Sequence, residues 1–173
     1  MKKSQIKCIV GNSLIHVASI LILCFFALNL IEGGGKNSIY YGITHMAQAT
    51  GANIVYYIVA NAFYALVLTL AIVMLIESAL GLFGAIFDER GLNMTVPNRV
   101  LSMIAMIAAL MGLVFMIVYV SLAGLAGTSV GAGPITVFIS SIVAVVGAFV
   151  AQTKRISRNQ KEARLLLKDN YPV

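Results

Sequence analysis

The sequence predicts an all-α integral membrane protein, a four-helix bundle with its amino and carboxyl termini in the cytoplasm. Three observations predict it. Hydrophobic residues make up 60% of the 173 positions and charged residues only 10%, whereas soluble domains carry roughly a quarter charged residues. Residues 8–31, 37–76 and 100–153 contain no Lys, Arg, Asp or Glu at all. The basic residues gather in the segments that flank these stretches, nearly all on one side. A soluble globule of this size could not cover its surface with so few charges, and a disordered chain would show low hydrophobicity instead.

A hydrocarbon core of ~30 Å needs about 20 apolar residues at ~1.5 Å each. The first charge-free stretch therefore holds one helix, at residues 9–31. A second apolar run starts at Ile54 and meets clustered charge only at Asp88, Glu89 and Arg90, interrupted by Glu77. As a single helix over 54–87 it would be roughly 50 Å long, which reads as one span with a projecting end. The third stretch is too long for one crossing. Its middle, from Gly124 to Pro134, is dense in glycine and other turn-forming residues, so two helices are expected, over 99–123 and 135–152. Thr95 and Asn98 bracket Pro97 at the start of the third helix, and Pro134 precedes the fourth, both suiting a first helical turn. Residues 1–173 thus form a single transmembrane domain with a basic tail at 153–173. The two helix pairs show no convincing sequence repeat, which weakens a duplicated transporter fold.

Charge orients the bundle. Lys2, Lys3 and Lys7 precede the first helix, Arg90 and Arg99 join the second and third, and Lys154, Arg155, Arg158, Lys161, Arg164 and Lys168 follow the fourth, against Lys36 alone on the other side. The positive-inside rule places both termini in the cytoplasm. The same bias argues against a protein that inserts in both orientations. A cleaved signal is not expected, because the first apolar stretch exceeds the roughly 7–15 residues of a signal core and no small-x-small site follows. Cys24 follows the bulky Leu23, which does not suit lipoprotein processing.

Particular chemistries are excluded by spacing. Cys8 and Cys24 lie about 24 Å apart along one helix, too far for a disulfide, and no Cys-x-x-Cys pair exists to support a membrane thiol oxidoreductase. His16 and His45 belong to opposite ends of the membrane, which does not suit a bis-histidine haem, and neither has zinc-binding spacing. No cofactor and no metal site are expected. The likeness to claudins and tetraspanins stops at the helix count, for the tryptophans and paired cysteines of the first and the Cys-Cys-Gly of the second are missing. No family motif is present.

Glu77 is the most informative residue, since an ionisable group in an apolar helix is costly and is by default a functional-site hypothesis. Two readings stay open. If Tyr56 and Tyr57 mark the outer aromatic belt, Glu77 lies near the cytoplasmic interface and pairs with Arg99 on the next helix. If Asp88, Glu89 and Arg90 mark the inner boundary, it lies about 16 Å deep and becomes an ion-coupling group, with His16 a further candidate. Small residues form helical stripes: Ala105, Ala108, Ala109 and Gly112; Ser140, Ala144, Gly147, Ala148 and Ala151; Ser78, Gly81, Gly84 and Ala85. In lipid such stripes mark close helix packing, within the chain or between chains. In the outer loop, Gly33, Gly34 and Gly35 precede Ile39–Ile43, a short amphipathic element. The tail bearing Lys154 to Lys168 suits anionic lipid headgroups or a cytoplasmic partner. It offers too little basic surface for nucleic acid.

These features point to a non-enzymatic accessory or oligomeric subunit of a membrane complex, a homo-oligomer or part of a larger one. The alternative is a small oligomeric channel or ion-coupled transporter using Glu77.

Overall fold

The computed structural model describes residues 3–32, 38–49, 51, 53–87, 95–123 and 128–152. The elements are α1 (Lys3–Phe25), β1 (Ile31–Glu32), α2 (Ile39–His45), a 3-10 turn (Met46–Gln48), α3 (Ile54–Ile86), α4 (Thr95–Ala123), β2 (Ser129–Val130) and α5 (Ala132–Gln152). Of these, α1, α3, α4 and α5 are long and apolar enough to cross a membrane. By length and composition this is a multi-pass membrane protein built as a helical bundle.

The first helix departs most from expectation, running over 3–25 and not 9–31. Lys, Gln and Ile between positions 3 and 8 are sound helix residues, so charge does not delay its start. Its end is set by partners distant in sequence. Phe26 still donates its N–H to Ile22, but beyond it the backbone turns away. Ile31 pairs with Val130 and Glu32 with Ser129 in an antiparallel ribbon, while Asn29 bridges to Ser38. Gly131 N–H donates to the Leu30 carbonyl at 2.9 Å and Gly133 N–H to that of Asn29 at 3.1 Å. Backbone groups satisfied in this way no longer need a helix.

The other bounds shift less. α4 opens at Thr95 with Pro97 in its first turn, four residues before the expected 99. α5 opens at Ala132 with Pro134 in its first turn, three residues before the expected 135. Proline lacks only an N–H that this turn leaves unused. α3 ends at Ile86, where Phe87 N–H closes the last turn on Phe83 at 3.0 Å. The short element expected between the first two long helices is α2, capped by Ser38, whose hydroxyl accepts from Tyr41 N–H; it buries Ile39 and Gly42 and exposes Tyr40 and Tyr41.

Around the bundle, α1 packs against α3 and α5, and α4 packs against the same two from the far side. Ile15, Ile22, Val67, Met74, Met116 and Val137 fill the centre, with Leu30 and Ile39 closing one end. The small-residue stripes lie inside the chain. Ala105, Ala109, Ala144 and Ala148 are buried, Gly112 receives the ring of Tyr64, and Gly147 lies against the backbone of Gly11 and Ile15. Lipid tails are as apolar as leucine, so close backbone approach supplies the van der Waals contact that holds such helices together. The outward faces remain apolar, as Val17, Ile107, Ile139 and Val146 show.

Candidate functional site

Cross-helix contacts fix the level of each polar residue. Asn53 bonds the Leu122 carbonyl, Tyr57 meets the ring of Tyr119, and Tyr64 lies on Gly112. Carried down α3 and α4 at the same register, Ser78 is level with Asn98 and Glu77 with Arg99. On the α1 side, Gln5 donates to the Ala85 carbonyl at 2.8 Å, Asn12 rests on Gly81, and His16 meets Ser78. Asn12, His16, Glu77, Ser78, Asn98 and Arg99 therefore fall within about one to two helical turns, at the end of the bundle nearer the termini.

His16 is a helix-contact residue. Its Nδ1 lies 3.1 Å from Ser78 Oγ, and Ser78 gives its own proton to the Leu75 carbonyl at 3.0 Å, so Nδ1–H is the donor. Asn12 donates Nδ2 to the Cys8 carbonyl at 3.0 Å and approaches Cys8 Sγ at 3.4 Å. Its Oδ1 is buried with no hydrogen-bond partner. Asn98 is fully buried, and neither its Oδ1 nor its Nδ2 has one.

The expected pairing of Glu77 with Arg99 takes a different form. The two are level, yet the Arg99 guanidinium lies over the Phe149 ring of α5 at 3.9 Å, a cation–π contact, while Glu77 Oε2 is buried without a hydrogen-bond partner. A delocalised guanidinium is weakly hydrated and stacks readily on an aromatic face. One oxygen of the half-buried Glu77 thus stays without a partner in the bundle.

Serine hydroxyls elsewhere in the core satisfy themselves on their own helix: Ser19 on Ile15, Ser102 on Arg99 and Ser141 on Val137. Towards the other end, Asn61 donates to the Tyr57 carbonyl at 2.9 Å, leaving its Oδ1 and the Tyr64 hydroxyl buried and unbonded. A buried hydroxyl without a partner costs about 1–3 kcal/mol. Tyr64→Phe is accordingly expected to raise stability by about 1 kcal/mol, read as a higher unfolding midpoint in detergent; a lowered midpoint would mean that this hydroxyl has a partner.

Sequence reading missed Asn12 and took Asn98 only as a cap. Asn12 shares a helix face with His16, and Asn98 one with Ser102, each at a spacing of four residues. That spacing was the available signal. Cys8 and Cys24 both lie on α1, the first buried and the second exposed. His45 closes α2 with its ring stacked on Tyr41, centroids 4.0 Å apart. Among the described residues, no group of three or more His, Cys, Asp or Glu is placed to hold a metal ion. Lys154, Arg155, Arg158, Lys161, Arg164 and Lys168 lie outside the described residues, as do Lys36, the three consecutive glycines and Asp88, Glu89 and Arg90. No protein-family model, no curated protein and no solved structure matches the chain.

Proposed function

We propose that this chain is a non-enzymatic subunit of a membrane complex, with both termini in the cytoplasm and its basic tail against anionic lipid. One observation carries the association. At the end of the bundle near the termini, α1 turns polar at Gln5 and Lys7, and the Gln5 bond to Ala85 sets these residues level with the last turn of α3. On that turn Phe83, Ile86 and Phe87 are exposed, with the two phenylalanine rings 4.5 Å apart. The apolar surface of α3 thus continues to a level at which its neighbour carries Gln5 and Lys7 beside the exposed Ile6. Exposed apolar patches rimmed by polar groups mark interaction sites. Since the small-residue stripes pack inside the chain, we assign association to this patch, among the outward apolar faces, as the one that meets a second copy or another subunit.

Extraction in mild detergent is expected to return a defined complex larger than the protomer. Phe83→Ser with Phe87→Ser is expected to reduce its recovery about tenfold while the protomer stays folded. A strictly monodisperse monomer in lipid nanodiscs would overturn the proposal. Impermeant thiol labelling of cysteines placed near each terminus, in a chain lacking Cys8 and Cys24, tests the orientation: both ends should be protected in right-side-out vesicles.

The unbonded Glu77 oxygen favours a second reading, a small oligomeric channel or ion-coupled transporter that uses this carboxylate. Flux in proteoliposomes that is lost in Glu77→Gln would support it. Flux unchanged by that substitution would remove Glu77 from the mechanism.

A further inference from the structure

We infer that α2 is a membrane-interface element, with Tyr40 and Tyr41 seated among lipid headgroups at the end of the bundle away from the termini. The depth follows from α5. Its 21 residues make a rod of about 31 Å, close to a hydrocarbon core of ~30 Å, so its first turn stands at one face of that core. Gly133 in this turn lies against α2: Ile39 Cδ1 is 3.0 Å from the position that a Cβ on Gly133 would take. The Gly133 N–H also donates to the Asn29 carbonyl, beside the start of α2, at 3.1 Å. α2 rests on α3 as well, through Gly42, where a Cβ would lie 2.5 Å from Asn61 Oδ1 and 3.1 Å from the Tyr57 hydroxyl. Contacts to two spanning helices thus hold α2 where hydrocarbon gives way to headgroups.

The backbone of α2 suits a place short of water. A helix start leaves its first N–H groups over, and here each has a partner in the chain. Ile39 donates to the Leu28 carbonyl at 3.2 Å, Tyr40 to that of Phe26 at 3.1 Å, Tyr41 to Ser38 Oγ at 3.1 Å and Gly42 to the Ser38 carbonyl at 2.9 Å. At the other end the Thr44 hydroxyl lies 3.1 Å from the Tyr40 and Tyr41 carbonyls. Backbone groups at membrane depth have to be met within the protein in this way. The side chains on the outer face select the occupant. Ile39 is fully buried, whereas Tyr40 is 60% exposed and Tyr41 45%, and Leu28 beside them is exposed too. The rings are apolar while the hydroxyls need partners, which headgroup phosphates and esters supply; tyrosine is enriched at that layer for this reason. Tyr57 and Tyr119, with ring centroids 5.2 Å apart, stand at the same end.

This lipid contact requires no partner subunit. The chain contains no tryptophan, so Tyr40→Trp in the full-length protein provides a single fluorescent reporter. Ile107→Trp, on the exposed face midway along α4, provides a deep reference. Each variant, shown to keep the wild-type circular dichroism, is reconstituted in phosphatidylcholine vesicles and quenched with aqueous iodide or with lipids brominated at either end of the acyl chain. Bromines near the headgroup should quench the reporter at position 40 at least several times more than bromines at the chain end, with the order reversed at position 107. Iodide should quench position 40 several times less than it quenches free tryptophan. Quenching by iodide as strong as that of free tryptophan would overturn the inference and place α2 in water. Protection from iodide and from every brominated lipid would overturn it in favour of a protein covering the tyrosines. A depth at position 40 equal to that at position 107 would overturn it as well.

Discussion

Gly11→Val is expected to prevent the bundle from forming its native packing. A Cβ at Gly11 would meet the backbone nitrogen of Ala151 and its Cα at 2.6 Å, and the opposing Gly147 is equally constrained, with Gly11 O at 2.8 Å and Ile15 N at 3.0 Å from its own Cβ position. Backbone cannot swing aside as a side chain can. α1 and α5 would have to separate, and with them the contact that substitutes in lipid for hydrophobic association. Overpacking of an ordinary core costs about 1–3 kcal/mol, and a clash of backbone on both sides lies at or above the upper end. Gly11→Ala should therefore lower the unfolding midpoint clearly, and Gly11→Val should abolish a cooperative transition. Reversible unfolding in mixed detergent micelles gives the measurement. A valine variant that unfolds with the wild type would show that the two helices do not touch here.

Gly131→Ala is expected to act just as sharply but locally. The added carbon would strike the carbonyl of Asn29, with its carbon at 2.7 Å and that of Leu30 at 3.0 Å. The hydrogen bonds from Gly131 to Leu30 and from Gly133 to Asn29 would be lost, and the Ile31–Val130 pairing with them. Two broken hydrogen bonds, which leave two donors and two acceptors without partners, amount to at least about 2 kcal/mol of local stability. Hydrogen exchange should show protection lost over residues 26–32 and 128–133 and retained near Gly11 and Ala151. Loss of protection throughout the molecule would mean that this clasp does not open apart from the rest of the bundle.

The four rods were legible in the sequence because hydrocarbon is a demanding solvent: only long apolar helices satisfy their own backbone in it. Where each rod ends was less legible. Leu28, Leu30 and Ile31 are as apolar as the helix before them, so hydropathy continues the helix through residues whose backbone is in fact bonded elsewhere, Leu28 to Ile39 of α2, Leu30 to Gly131 and Ile31 to Val130. The packing stripes were readable as stripes. That they serve contacts inside the chain depends on which faces meet, as at Gly147 against Gly11, and no single helix reveals that. For Glu77 the sequence left two depths open, and a guanidinium on a long flexible stem reaches in several directions, so the contact made by Arg99 could not be read from spacing. The guanidinium lies over Phe149, a residue fifty positions away. Asn12 and Asn98 were the least legible, because a polar residue near a helix end usually caps or meets solvent. Only the three-dimensional packing shows both to be buried.

The length of α3 has a mechanical consequence. Its 33 residues make a rod of about 50 Å, against a hydrocarbon core of about 30 Å. A bilayer cannot match that rod while it stands upright. Tilt, a projecting end or a locally thickened leaflet takes up the difference, at fractions of a kcal/mol per ångström of mismatch. Thicker membranes would relax whatever strain is left, and so would two copies standing with their α3 helices side by side, sharing one ring of deformed lipid where each alone would need its own.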